Sequence, residues 1–173
     1  APSPTRSGER VGAPDGGRVT APAIEEVDPG RFTERPSDMA FGAYQRGYYL
    51  TALDRATPLA LAGNAAAQTL IGEIYLRGLG VRRDIAKATE WFGKAAEKNV
   101  PEAMFQLAMI LLDGGEEFGD RERAAELMKR AADTGHHIAQ FNFAQMVLDK
   151  NRGRSGESEA VDYYRKAAEG GLA

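Results

Sequence analysis

Apolar side chains recur along this chain in helical stripes, and the stripes themselves recur. Ala67, Ile71 and Tyr75 fall at i, i+4 and i+8, one face of an amphipathic helix. Ala88, Trp91, Phe92, Ala95 and Ala96 mark a second stripe, and Gly78-Leu79-Gly80 lies between the two. Glycine accepts the positive φ at which a helix stops, so the segment reads as helix, turn, helix. Asp84 stands where the second helix begins and Asn99 just past its end, residues suited to an N-cap and a left-handed C-terminus.

Adding 36 to each position returns the same character of side chain. Ile71-Gly72 becomes Leu107-Ala108 and then Phe143-Ala144; Trp91-Phe92 becomes Leu127-Met128 and then Tyr163-Tyr164; Ala95-Ala96 becomes Ala131-Ala132 and then Ala167-Ala168. Gly63, Asn99, Gly135 and Gly171 share one register, as do Asp84 and Asp120, and Ala67, Ala103 and Ala139. Each period therefore predicts two antiparallel helices. Gly72, Ala108 and Ala144 are expected where the paired helices approach closely, and Trp91 is expected in the core stripe. Residues 38–64 read as a degenerate first repeat with a short inter-helix turn near Gly47, as expected of a terminal unit. Gly171-Leu172-Ala173 reads as the opening of a further repeat, from which we expect the chain to be a fragment of a longer protein.

Residues 1–36 have a different texture, with six prolines, five glycines and only Ile24, Val27 and Phe32 as sizeable apolar anchors. Such a segment cannot bury enough apolar surface to offset the roughly 1–2 kcal/mol per residue needed to order its backbone. It is expected to be a disordered or extended tail, with residues 37–173 forming the repeat array.

The quoted residues resemble a known family. Leu70-Ile71-Gly72-Glu73-Ile74-Tyr75-Leu76-Arg77-Gly78-Leu79-Gly80-Val81-Arg82-Arg83-Asp84, followed by Ala88, Trp91-Phe92, Lys94-Ala95-Ala96 and Asn99, is similar to the Sel-like repeat branch of the tetratricopeptide superfamily. The likeness is strongest over 65–99, continues through 100–135 and weakens over 136–170, where Lys150 and Gly153 replace the glycine spacing. Residues 37–64 are closer to the ordinary tetratricopeptide form. The resemblance implies an all-α, right-handed α-solenoid whose concave groove holds a partner protein or peptide. By the same analogy the first helix of each repeat lines that groove. The candidate contacts are Thr69, Glu73 and Arg77 in the second repeat, Phe105 and Met109 in the third, and Phe141 and Gln145 in the fourth. Leu76, Leu112, Asp113, Leu148 and Asp149 complete the face, with Phe41 and Tyr44 from the first repeat. Phe105, Met109 and Phe141 are the strongest candidates as adaptable apolar anchors; the competing reading packs them between repeats as core.

Charge and composition narrow the function classes. A formal charge of −3 and a pI near 5.5 disfavour a nucleic-acid partner, which requires a basic face. No run of about 20 apolar residues is present to span a membrane. There are no cysteines, and the only histidines, His136-His137, point about 100° apart on a helix, so no metal or cofactor is expected and the pair is read as capping or surface. No catalytic constellation is found. The expected function is a non-enzymatic interaction scaffold or adaptor; the alternatives are a regulatory subunit inhibiting a sensor or enzyme and, more remotely, a cell-wall-related enzyme. The Ala1-Pro2-Ser3-Pro4 start suggests a periplasmic or exported protein of the bacterial envelope, with cytoplasmic placement as the alternative.

Overall fold

A computed structural model of the chain describes residues 35–115, 119–151 and 153–171. The tail with Ile24, Val27 and Phe32 lies outside the described residues. Those described form eight α-helices and no strand: α1 (Pro36–Gln45), α2 (Tyr49–Leu61), α3 (Ala65–Arg77), α4 (Ile85–Glu97), α5 (Pro101–Asp113), α6 (Arg121–Asp133), α7 (His137–Lys150) and α8 (Arg154–Glu169). Each packs on the next in chain order, giving four stacked hairpins.

The period is kept in the backbone. Helices α3 and α5 begin and end 36 residues apart, as do α2, α4 and α6. The cause is local chemistry repeated in register. Asn64 Oδ1 accepts from Ala67 N–H, Asp84 Oδ1 from Lys87 N–H and Asp120 Oδ1 from Arg123 N–H, each at 2.9 Å. These satisfy amides that the first helical turn leaves open. Helix α5 begins instead with Pro101, whose fixed φ suits that position.

The second helix of every repeat ends in a left-handed residue: Gly63 (φ 93°), Asn99 (59°), Gly135 (95°) and Gly171 (109°). At Gly63, Asn99 and Gly135 the residue's own amide and the next one fold back on the helix, as in Gly135 N–H to Ala132 O and His136 N–H to Ala131 O, both 3.0 Å. Gly78 (φ 67°) also ends α3 in the left-handed region, with its own amide and that of Leu79 both donating to Ile74 O.

The first and last hairpins depart from the pattern. A tight turn at Arg46–Tyr48 shortens the first, and α1 begins at Pro36, one residue before the boundary expected from the sequence. In the fourth, α7 runs on to Lys150 where α3 stops at Arg77, because no glycine intervenes. Helix α8 then starts at Arg154, three residues ahead of register. Gly156 is buried there against the Asn151 carbonyl, leaving no room for a β-carbon.

Small residues let the hairpins close. Ala88, Ala95, Ala103, Ala108, Ala124, Ala131, Ala139 and Ala144 have no exposed surface. Phe92, also fully buried, fills the second hairpin, with its ring directly over Gly72. Trp91 is different from expectation: it is half-buried at the margin of the core, with the Lys94 ammonium 4.3 Å from its ring centre. Adjacent residues on a helix point about 100° apart, so only one of Trp91 and Phe92 can face straight into the hairpin.

Candidate partner-binding face

Positions 69, 105 and 141 occupy one register on α3, α5 and α7; positions 73, 109 and 145 lie one turn further along, and 77, 113 and 149 a turn beyond. The first helices thus carry a grid of three rows: Thr69, Phe105, Phe141; Glu73, Met109, Gln145; Arg77, Asp113, Asp149.

Side-chain contacts between successive first helices run across this grid. Arg77 on α3 reaches the Tyr44 hydroxyl on α1 (3.5 Å) while pairing with Glu73 (3.2 Å). Asn142 Nδ2 on α7 donates to Met109 Sδ on α5 at 3.9 Å, and a thioether is a weak acceptor. No other hydrogen bond is made by the Asn142 side chain among the described residues. Phe105 is half-buried, its ring stacked on His136 with centroids 4.6 Å apart. Phe141 is 41% exposed and meets Tyr164 of α8 edge-on at 5.3 Å. Gln145, Asp113 and Asp149 are exposed.

Phe105 and Met109 therefore lean on the core while keeping part of their surface open, and Phe141 is more open still. Thr69 is occupied locally, its hydroxyl donating to Ala65 O at 2.8 Å. The basic loop of the second repeat is partly self-satisfied: Arg83 Nε donates to Leu76 O at 2.9 Å and Lys87 lies 3.7 Å from Asp84. Glu116, Glu117 and Arg152 lie outside the described residues.

His136 caps α7, a role suggested by its place at a repeat junction. Its Nδ1 accepts from Ala139 N–H at 3.1 Å, which places the proton on Nε2, and Nε2 donates to Glu102 Oε2 at 2.9 Å. That hydrogen bond, aided by one from Gln106, holds the Glu102 carboxyl below the usual range despite partial burial. The His137 ring is packed against Gly170 and approaches Gln140 Oε1 at 3.4 Å. Among the described residues no three His, Asp or Glu side chains gather where a metal ion could sit, and no helix is long and apolar enough to cross a membrane. An open hollow of about 600 Å³ lies along the turn edge, bordered by Pro101, Glu102, His136, Ile138 and Gly170, separate from the three rows.

Two contacts were not evident from the repeat alone: the Phe105–His136–Glu102 cluster and the Asn142–Met109 bond. The signal that locates them is a spacing of 31 for Phe105–His136, 34 for Glu102–His136 and 33 for Met109–Asn142, slightly less than one period, as also in Tyr44–Arg77 at 33. Side chains bridging successive first helices obey that spacing because they join neighbouring turns of the two helices.

Stacked two-helix units, the central ones in a 36-residue register, with one helix of each pair presenting an ordered face, define an α-solenoid repeat protein. The chain belongs to the Sel1 repeat family, whose model matches residues 65–100, 101–136 and 153–172, more than half of its length. Helices α1 and α2 lie outside the matched residues, as does α7, where the glycine spacing is lost. The fold is similar to the crystal structure of a Sel1 repeat protein from Oxalobacter formigenes, at 28% identity and TM-score 0.71, covering 77% of this chain and 55% of that one. It is also similar to a protective antigen of uropathogenic Escherichia coli displaying an SLR fold, at 23% identity and TM-score 0.63, covering 76% of this chain and 31% of the other. The chain thus spans about half the length of the first and a third of the second. No curated protein matches it. The Sel1 repeat solenoid is a protein-interaction scaffold type of fold, in a family that is generally non-catalytic.

Proposed function

We propose that this chain is a non-catalytic scaffold that binds a protein or peptide across the first-helix face, with Phe105, Met109 and Phe141 as apolar anchors and Thr69, Glu73, Arg77 and Gln145 around them. The observation that carries this reading is that Phe105, Met109 and Phe141, at neighbouring register positions of α5 and α7, each stay partly open although large and apolar. Phe92, Met128 and Tyr163 of the second helices are by contrast buried inside the hairpins, although Leu50, Leu61 and Val161 of α2 and α8 are exposed. Aromatic and methionine side chains held on rigid helices offer large contact area at little entropic cost.

A photo-crosslinking residue placed singly at Met109 or Gln145, and as a control at Glu126 on α6, tests the reading. Adducts with one partner are expected from the two first-helix positions only. Adducts confined to Glu126, or equal at all three, overturn it.

A further inference from the structure

The third row of the grid carries more information than the other two. Arg77, Asp113 and Asp149 stand at the same register, at the C-terminal ends of α3, α5 and α7. A helix C-terminus carries partial negative charge and favours a cation there. Arg77 meets that preference, and it is internally paired with Glu73. Asp113 ends α5, whose last turn holds no basic residue at all, and Asp149 sits in the last turn of α7 beside Lys150. Both carboxylates are exposed and neither is ion-paired among the described residues. Stability alone places anions badly here, twice in the same register.

The other rows say what accompanies the charge. Phe105 and Phe141 form an apolar step at the N-terminal side of the same two helices, with Met109 between them and the aspartates. Asn142 adds a carboxamide in the floor whose one hydrogen bond goes to a thioether. A carboxamide both donates and accepts, so it can hold a peptide group through N–H and C=O. On α5 and α7 the acidic residues are Glu102, Asp113 and Asp149, against Lys150 alone, whereas Arg121, Arg123, Arg130, Arg154 and Arg165 lie on α6 and α8 and Arg152 lies outside the described residues. On α5 and α7 the first row is therefore apolar, with Phe105 and Phe141, and the third row acidic, with Asp113 and Asp149.

We propose that the α5–α7 face binds a partner segment of basic-apolar chemistry: a bulky apolar side chain against Phe105 and Phe141, and a lysine or arginine at Asp113 and Asp149. This rests on the scaffold reading above and adds the chemistry of the partner. The first and third rows are eight residues apart on each helix, or about 12 Å at 1.5 Å per residue. An extended segment covers that distance in about four residues, so the apolar and basic side chains stand about four positions apart. Met109 packs beneath the intervening backbone and Asn142 is its hydrogen-bonding partner.

The test is selection from a random displayed peptide library on the full chain, followed by affinity measurement on the enriched peptides. Enrichment of apolar-plus-basic sequences is expected, with binding weakened about five- to twentyfold by the D113N/D149N double substitution and weakened by raising salt from 50 to 500 mM. The charge-reversed D113K/D149K chain is expected to enrich acidic peptides instead. Circular dichroism confirms folding of each variant, since both aspartates are exposed. Peptides whose binding depends on Phe105 and Phe141 but whose charge is acidic or neutral overturn the basic preference and leave the scaffold reading intact. Enriched peptides indifferent to every substitution on this face overturn both.

Discussion

Gly72 and Phe92 offer a case in which two physical effects of opposite sign can be separated by experiment. Gly72 lies inside α3, where replacing glycine by alanine normally adds about 0.8–1.0 kcal/mol of helix stability. A β-carbon at that position, however, meets Cδ1 and Cε1 of Phe92 at 2.8 Å and Cγ at 3.0 Å. Unstrained carbon contacts lie at about 3.5–4.0 Å, so the ring must retreat by about 0.7 Å or more. Phe92 has no exposed surface and its neighbours Ala88, Ala95 and Ala96 are equally enclosed. Overpacking of this kind costs about 1–3 kcal/mol. The steric cost exceeds the propensity gain, and G72A is expected to destabilise by about 1 kcal/mol net. The chain contains its own control. Where the third repeat has Ala108 at the equivalent place, the residue matching Phe92 is Met128, a side chain that bends. The pair G72A/F92M reproduces that combination and should recover at least about 1 kcal/mol relative to the sum of the single changes. Urea and thermal unfolding followed by far-ultraviolet circular dichroism, together with fluorescence of the adjacent Trp91, measure the cycle. A net loss of 1 kcal/mol corresponds to a fall of about 3–6 °C in Tm. A more stable G72A chain, or strict additivity of the two substitutions, would refute the argument.

Further expectations follow from particular contacts. Burial and a 2.6 Å hydrogen bond to Asp133 push the Tyr163 phenol up to about 12. Because its folded value is raised, its contribution is complete below pH 10 and lost as pH climbs towards 12; ultraviolet titration should show one tyrosine ionising late, and Y163F should remove that phase and cost about 1 kcal/mol at neutral pH. Glu102 is shifted the opposite way, so the stability it adds through His136 is present above pH 4.5 and disappears as the solution is acidified; the difference in urea midpoint between E102Q and the parent, worth about 0.5 kcal/mol at pH 7, should shrink below pH 4.5. Gly135 holds φ 95°, where an L side chain is strained, so G135A should cost about 1–2 kcal/mol by denaturant titration. Phe92→Ala should cost about 3–5 kcal/mol, and Trp91→Ala clearly less, because the indole is only half-buried.

Much of the fold was legible because the instructions are short-range and repeated. Asp84 and Asp120 cap the second helices as their side chains dictate, and Gly63, Asn99, Gly135 and Gly171 take positive φ as their register requires. Harder to read was anything set by the rotation of one helix against another. Trp91 and Phe92 both fit the apolar stripe, and only the pairing of α3 with α4 decides that Phe92 takes the interior while Trp91 lies under Lys94. In the fourth repeat α7 runs one residue further through Lys150, where the stop glycine is missing, and the connection to α8 is shortened so that α8 starts three residues ahead of register. The candidate face was legible as a set of positions but not in its degree of exposure: Phe105 gives part of its surface to His136, while Phe141 keeps more of its own. Capping by His136 was suggested by its place at a repeat junction, but its bond to Glu102 joins α5 to the start of α7 and depends on how those helices pack.

The left-handed residues at 63, 99 and 135 act as seams. Each delivers the chain to the next helix with the same exit direction, so whatever follows one seam can follow another. A duplicated copy of residues 100–135 spliced in after Gly135 would meet α7 on one side, as the original does, and the original third repeat on the other. Lengthening the array therefore requires one new joint, Gly135 to Val100, in which one left-handed residue takes the place of another, and each inserted unit would widen the row of first helices by one column.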